Sequence, residues 1–373
     1  MKKKITYAQV GDNYDTKDPI KKLAQTSAAK TGKNLIPHGF SEVTESRGES
    51  AYVWSLGSAR DNHAPLMATV IEGLGTKNLV ADGMRTITGK TYYDVIGHDT
   101  VATIVNDLTT VGAQPLTVHA YWAIQNNEWL QDTQRMKDLI TGWTDACTLA
   151  GASWGGGETP TLKGIIEENT VALGGSAVGV IPTKKRLIKD SDLTPGDRIM
   201  LLQSNGINAN GLSLARAIAK KLPKGYATKL ADGTMYGEAL LTKTHIYTKV
   251  IQKLLDSNVA IHYIANITGH GHRKIMRARQ PFTYVIEKLL PPQELFQFIQ
   301  KQANLTDYDM YDEFNMGMDY ALFIPEKDIK KAFRTVKTMG FVGIDAGYVE
   351  KGKKQVVIKP KNLTFNGETL DLR

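Results

Sequence analysis

Two acids and an amide share one predicted helix in the stretch Ile96-Gly-His-Asp-Thr-Val-Ala-Thr-Ile-Val-Asn-Asp-Leu-Thr-Thr-Val-Gly-Ala-Gln-Pro115. Val101, Ile104, Val105, Leu108 and Val111 recur at helical spacing, so one face packs on a core. A polar stripe runs beside them. Asp99 and Asn106 fall within about 20° of each other around a 3.6-residue axis, and Asp107 follows Asn106. A carboxylate halfway along a core helix is costly unless it is paired or bound to a metal. The stripe by itself reads equally well as a solvated face. Asp99 occupies the expected N-cap position, and Gly112 the expected exit.

Four glycine corners could work with these acids: Glu72–Lys77, Gly155–Thr159, Ser204–Gly211 and Thr268–His272. Glycine lets a backbone approach a ligand closely, and successive N–H groups at such turns form anion nests. Together with Asp99 and Asp107 they suggest a site for a polyphosphate with Mg²⁺ held by carboxylates. The Gly73-Leu-Gly-Thr-Lys77 corner lacks P-loop spacing, and no GxGxxG motif follows a strand. His270 and His272 are too few for zinc. No Gly-x-Ser-x-Gly elbow is present.

Strands and helices must position these corners. Leu66–Ile71, Leu116–Ile124, Asn169–Val180, Arg198–Leu202, Ala260–Ala265, Asp319–Ile324 and Val356–Ile358 read as strands. Helices are expected from Asp18-Pro19, from Asp99, over Thr133–Ala150, from Leu212, over Gly237–Leu255, from Pro291-Pro292, and through Ile329, Ala332, Phe333 and Val336 up to Gly340. Residues 37–60 read mostly as loop. The turn cluster Asp192-Leu-Thr-Pro-Gly-Asp197, in a charged segment from Lys184, divides residues 1–185 from 186–373. Such alternation predicts an α/β or α+β chain of two domains.

The 373 residues carry 46 Lys+Arg against 38 Asp+Glu, a net charge of +8. The surplus is spread thinly over short clusters such as Lys184-Lys185-Arg186, so nucleic-acid binding is not expected. The single cysteine, Cys147, excludes an intramolecular disulfide and falls on the apolar side of its helix, the pattern of a buried inert thiol. Lys2-Lys3-Lys4 precedes Tyr7-Ala-Gln-Val-Gly-Asp12 with no apolar run behind it, and no segment reaches membrane-spanning length. A soluble cytoplasmic protein is expected.

Taken in order, several pieces resemble the aminoimidazole ribonucleotide synthetase (phosphoribosylformylglycinamidine cyclo-ligase) family. They are Gly73-Leu-Gly-Thr-Lys77, Asp94-Val-Ile-Gly-His-Asp99, Val105-Asn-Asp-Leu108, Gly112-Ala-Gln-Pro-Leu116, Gly156-Gly-Glu-Thr159, Asn210-Gly-Leu-Ser-Leu-Ala-Arg216, Ile267-Thr-Gly269 and Phe314-Asn-Met-Gly317. The resemblance spans about Tyr7 to Gly340. It implies a homodimer that pairs its amino-terminal sheets, with carboxy-terminal α/β domains closing over the substrate. It also implies a reaction in which ATP activates the formyl oxygen of formylglycinamidine ribonucleotide, a nitrogen closes the ring, and phosphate leaves.

By position, the resemblance assigns Glu72, Asp99, Asp107 and Glu158 to Mg²⁺. Gly73, Gly75, Thr76, Lys77, Asp94, Asn106, Gly156, Gly157 and Thr159 go to ATP, and Asn210, Gly211, Ser213, Thr268 and Gly269 to the substrate. Lys77, Asp107 and Asn208 fall at catalytic positions. The chain departs from the family at Glu72 (usually Asp), Asn208 (usually His), His245 (usually Arg), His270 in a glycine run, and Arg273-Lys274 where Glu-Asn is usual. An amide at Asn208 cannot shuttle a proton at neutral pH. The departures concentrate on the substrate side, which leaves two alternatives open: an ATP-dependent small-molecule kinase of the same superfamily, or a catalytically silent member that binds a nucleotide or RNA.

Overall fold

The computed structural model describes residue 4, residues 14–57 and residues 64–370. Lys2, Lys3, the Tyr7–Asp12 arm and the expected loop's end at Arg60 lie outside the described residues. The first half runs α1 (Tyr14–Ala29), β1 (Ser41–Glu42), β2 (Tyr52–Ser55), β3 (Leu66–Gly73), α2 (Lys77–Thr88), α3 (Tyr93–Thr109), β4 (Gln114–Ile124), α4 (Thr133–Ala150), β5 (Ser153–Glu158) and β6 (Val171–Ile181). The second half runs β7 (Arg198–Gln203), α5 (Leu212–Ala219), α6 (Tyr236–Leu240), α7 (Thr248–Asp256), β8 (Tyr263–Asn266), β9 (Phe282–Ile286), α8 (Glu294–Ala303), α9 (Asp307–Glu313), β10 (Met318–Ile324), α10 (Glu326–Thr338), β11 (Gly343–Lys351), β12 (Gln355–Ile358) and β13 (Leu363–Asn366).

The first half forms a six-stranded sheet ordered β1-β2-β3-β6-β4-β5, the second a seven-stranded sheet ordered β13-β12-β9-β11-β7-β10-β8. Neighbours are antiparallel except β4 with β5 and β9 with β12. Helices therefore cover mostly antiparallel sheets, which makes the class α+β.

α3 lies hard against the first sheet because β6 carries glycine where the helix crosses it. A Cβ on Gly175 would meet His119 O at 2.3 Å and Ile104 Cδ1 at 3.0 Å. The α3–α4 crossing is equally close, since a Cβ on Gly142 would meet Asp94 O at 2.0 Å and one on Gly97 would meet Leu139 O at 2.4 Å. Trp122, Trp143 and Trp154 pack edge and tilt together with centroids 5.5–5.8 Å apart, tying α4 to β4 and β5. A second apolar cluster sits under α7 and α10, where Val250, Ile251, Leu254, Ala332 and Val336 cover Met200, Leu202, Ile264 and Leu322. Cys147 is buried, and burial pushes its thiol up to about 11, as an inert core residue requires.

Four expectations need correction. α3 begins at Tyr93, so Asp99 is mid-helix and no N-cap, and Gly97 within it allows the close crossing with α4. The stretch 37–60 contains β1 and β2, which pair with each other while β2 pairs with β3. Gly155–Glu158 belongs to strand β5 and is not a bend. The helix expected over Gly237–Leu255 is broken into α6 and α7, because Thr242 gives its carbonyl to Lys77 of α2, and Thr244, His245 and Tyr247 spend backbone groups on α3.

Candidate active site

Much of the α3 polar stripe is a joint between the domains. Asp99 and Lys77, the first residue of α2, form an ion pair at 2.5 Å with both side chains fully buried. Lys77 Nζ also donates to the carbonyls of Asn208 and Thr242 at 3.0 Å each. Asp99 Oδ1 accepts from Thr244 N at 2.8 Å, and His98 Nε2 meets Thr244 O at 2.8 Å. Asn106 donates to His245 O at 2.7 Å and accepts from Tyr247 N at 2.9 Å, while Tyr320 donates its hydroxyl to Asn106 O at 2.8 Å. Lys77, Asp99 and Asn106, expected at ATP phosphates, at Mg²⁺ and at the nucleotide, all stand in this joint. Their polar atoms hold the second domain onto the first. Each charge is hydrogen-bonded and paired, which is what burial demands.

Asp107, one residue beyond Asn106, faces elsewhere. It lines a cavity of about 730 Å³ between the two sheets. Glu72 enters from the end of β3, followed by the Gly73–Thr76 corner that leads into α2. Asn210, Gly211 and Ser213 enter at the start of α5, and Thr268, Gly269 and His270 after β8. Lys274 and Arg277 form a basic wall, and Lys21 and Gln25 of α1 reach the mouth. The cavity thus gathers Glu72, Gly73, Gly75, Thr76, Asp107, Asn210, Gly211, Ser213, Thr268 and Gly269 from the expected set.

Its chemistry centres on the acid pair. Asp107 Oδ1 accepts from Asn266 Nδ2 at 2.6 Å. Burial pushes Glu72 up to about 7, and the neighbouring Asp107 charge pushes the same way, while Lys274 pulls it down. Two carboxylates in contact cannot both ionise cheaply without a cation between them. A pair of carboxylates facing a roomy polar cleft suits Mg²⁺, which takes one or two carboxylates and completes its shell with water and phosphate. The residues present fit that ion. The uncapped N-termini of α2 at Thr76 and α5 at Gly211 add backbone donors for anions.

Other expected residues stand apart. Asp94 forms a half-exposed ion pair with Lys243 at 2.8 Å. Gly156, Gly157, Glu158 and Thr159 are exposed at the β5 edge, with β6 and β4 between them and β3. Among the described residues no three His, Cys, Asp or Glu groups converge as a metal site. Asn208, expected at a catalytic position, is buried behind the cleft, its Nδ2 donating to Asp319 Oδ2 at 2.7 Å. His272 is buried against Tyr311 and pushed down to about 4, while His270 meets Asp18 of α1 at 3.1 Å. Sequence reasoning missed Asn266, which stands one residue before Ile267-Thr-Gly269. It also gave no role to Lys274, whose only signal was its departure from the family pattern.

A two-domain α+β scaffold with an acid pair and glycine corners facing one interdomain cleft defines the class. The chain belongs to the AIR synthase related family: residues 48–181 match its N-terminal domain and residues 194–359 its C-terminal domain. It is 32% identical over 360 residues to the phosphoribosylformylglycinamidine cyclo-ligase of Carboxydothermus hydrogenoformans, covering 95% of this chain and 98% of the relative. It is 31% identical over 358 residues to that of Clostridium kluyveri, covering 95% and 100%. Among solved structures, a HypE–HypF complex shares the fold at TM-score 0.57 and 16% identity, covering 85% of this chain and 92% of that one. A ThiL complexed with AMPPCP and TMP does so at TM-score 0.56 and 12% identity, covering 85% and 89%.

Proposed function

We propose that this chain is an ATP-dependent cyclo-ligase that converts formylglycinamidine ribonucleotide to aminoimidazole ribonucleotide, releasing ADP and phosphate. The observation that carries this reading is identity of about a third to cyclo-ligases over nearly the whole chain. The γ-phosphoryl group passes to the formyl oxygen, the amidine-side nitrogen attacks that carbon, the carbon–oxygen bond breaks as phosphate leaves, and the nitrogen loses its proton. Such transfer is mostly positioning and charge neutralisation. Glu72 and Asp107 would hold Mg²⁺, which when bound neutralises developing phosphate charge. Asn266 orients Asp107 from behind. The Gly73–Thr76 corner and the start of α2 donate N–H groups to ATP, and Asn210, Gly211, Ser213, Thr268 and Gly269 take the ribose and phosphate of the substrate.

The proposed working form is a homodimer joined through the open β5 edge, an exposed row of backbone groups that otherwise invites aggregation. Gly156, Gly157, Glu158 and Thr159 are nucleotide-side residues in this reading only through that pairing. No described helix is long and apolar enough to cross a membrane, and the cytoplasm is the proposed compartment.

The test is incubation with ATP, Mg²⁺ and formylglycinamidine ribonucleotide. Equal amounts of ADP and aminoimidazole ribonucleotide are expected. ADP made only with another small acceptor would replace the substrate claim with a kinase activity, and absence of any ADP would overturn the reaction itself.

A further inference from the structure

Lys274 lines the cleft without a part in the reaction drawn above. It lies in the 3-10 turn Gly271–Met276, is 8% exposed, and donates from Nζ to Thr268 Oγ1 at 2.9 Å. It shares the cavity with Glu72 and Asp107. Their charges raise its proton affinity, against burial and the neighbouring Arg277, which together bring it down to about 8. In return its charge favours the ionised form of Glu72. A buried ammonium is expensive to keep unless it offsets opposite charge, and the acid pair across the cleft is what it offsets.

We propose that Lys274 is the resident counter-cation of the Glu72–Asp107 pair, turning to a ligand oxyanion when a divalent cation takes the carboxylates. This inference rests on the ATP and Mg²⁺ reading above. With both carboxylates ionised, the cluster carries two negative charges and one positive. A divalent cation arriving alone would leave the ammonium facing uncompensated positive charge. A polyphosphate arriving with it supplies the missing anion, bound by Lys274 on one side and the metal on the other. Metal and nucleotide therefore bind interdependently, each raising the affinity of the other by the same factor.

The test uses the full chain with Mn²⁺ as probe, free Mn²⁺ being followed by electron paramagnetic resonance with and without a non-hydrolysable ATP analogue. Wild type should bind Mn²⁺ at least tenfold more tightly with the analogue than without it. Lys274→Met, which removes the charge and keeps the length, should bind Mn²⁺ alone at least tenfold more tightly than wild type and lose most of the coupling. Lys274→Arg should behave as wild type. Equal Mn²⁺ affinity of wild type with and without the analogue overturns the proposal whatever the variants do. So does a folded Lys274→Met protein with wild-type coupling. Failure of wild type to bind the analogue under any condition instead overturns the ATP reading, and this inference with it.

Discussion

Asp107 reaches the cleft while its neighbour Asn106 faces the second domain, and that single step along α3 separates chemistry from scaffolding. Asp107→Asn should keep the Asn266 contact region and the fold, with an unchanged melting curve, while turnover falls by at least about 10²–10³-fold, the scale of losing one electrostatic stabiliser. An active variant would remove Asp107 from the metal. His262 offers a residue whose effect is pH-dependent. Its hydrogen bond to Asp197 at 2.8 Å raises it above its ordinary value. A histidine raised on folding contributes stability that is full below its unfolded value near 6.5 and fades as pH rises through the folded value. Asp197→Asn should therefore lower the melting temperature at pH 5–6 more than at pH 8–9, and lower the midpoint of the His262 ring signals in an NMR titration. The cleft residues were legible in sequence where glycine marks a corner: Glu72, Gly73, Gly75, Asn210, Gly211, Thr268 and Gly269 all line it. The Lys77–Asp99 pairing was not legible, because side-chain type shows that a buried charge needs a partner, and not whether that partner is a metal or another side chain.

At the scale of elements, the 242–247 segment explains why one expected helix became two. Apolar spacing carries across Gly237–Leu255, but helical hydrogen bonds within it would compete with those the segment gives to Asp99 and Asn106. Periodicity cannot register a backbone that is satisfied by a distant helix. Amphipathic α4 and α10 depend only on their own stripe, cap and stop, and they were read closely. If the Lys77–Asp99 pair is the joint, Lys77→Ala should leave a buried uncompensated carboxylate. It should cost about 3–5 kcal/mol in urea unfolding, and Lys77→Met with Asp99→Leu should recover much of that loss. Loss of nucleotide affinity in Lys77→Ala at unchanged stability would return Lys77 to the phosphates.

For the whole molecule, β5 is the element to watch. Its outer edge carries unpaired backbone groups along Ser153–Glu158, anchored by Trp154 among the buried tryptophans. In the proposed dimer the amides on that edge should exchange slowly at high protein concentration and rapidly after dilution, and sedimentation should show twice the monomer mass. Rapid exchange at every concentration would exclude this edge as the contact. The proposed dimer rests on family resemblance alone, since an edge strand's sequence does not declare its neighbour.

One helix thus supports two trades on adjacent turns, and the joint it makes is independent of what the cleft contains. Substrate preference can drift at Lys274 without loosening the frame, because its hydrogen bond goes to Thr268 within the same half. Lineages built on this plan are free to retarget their chemistry while inheriting a chassis that still folds.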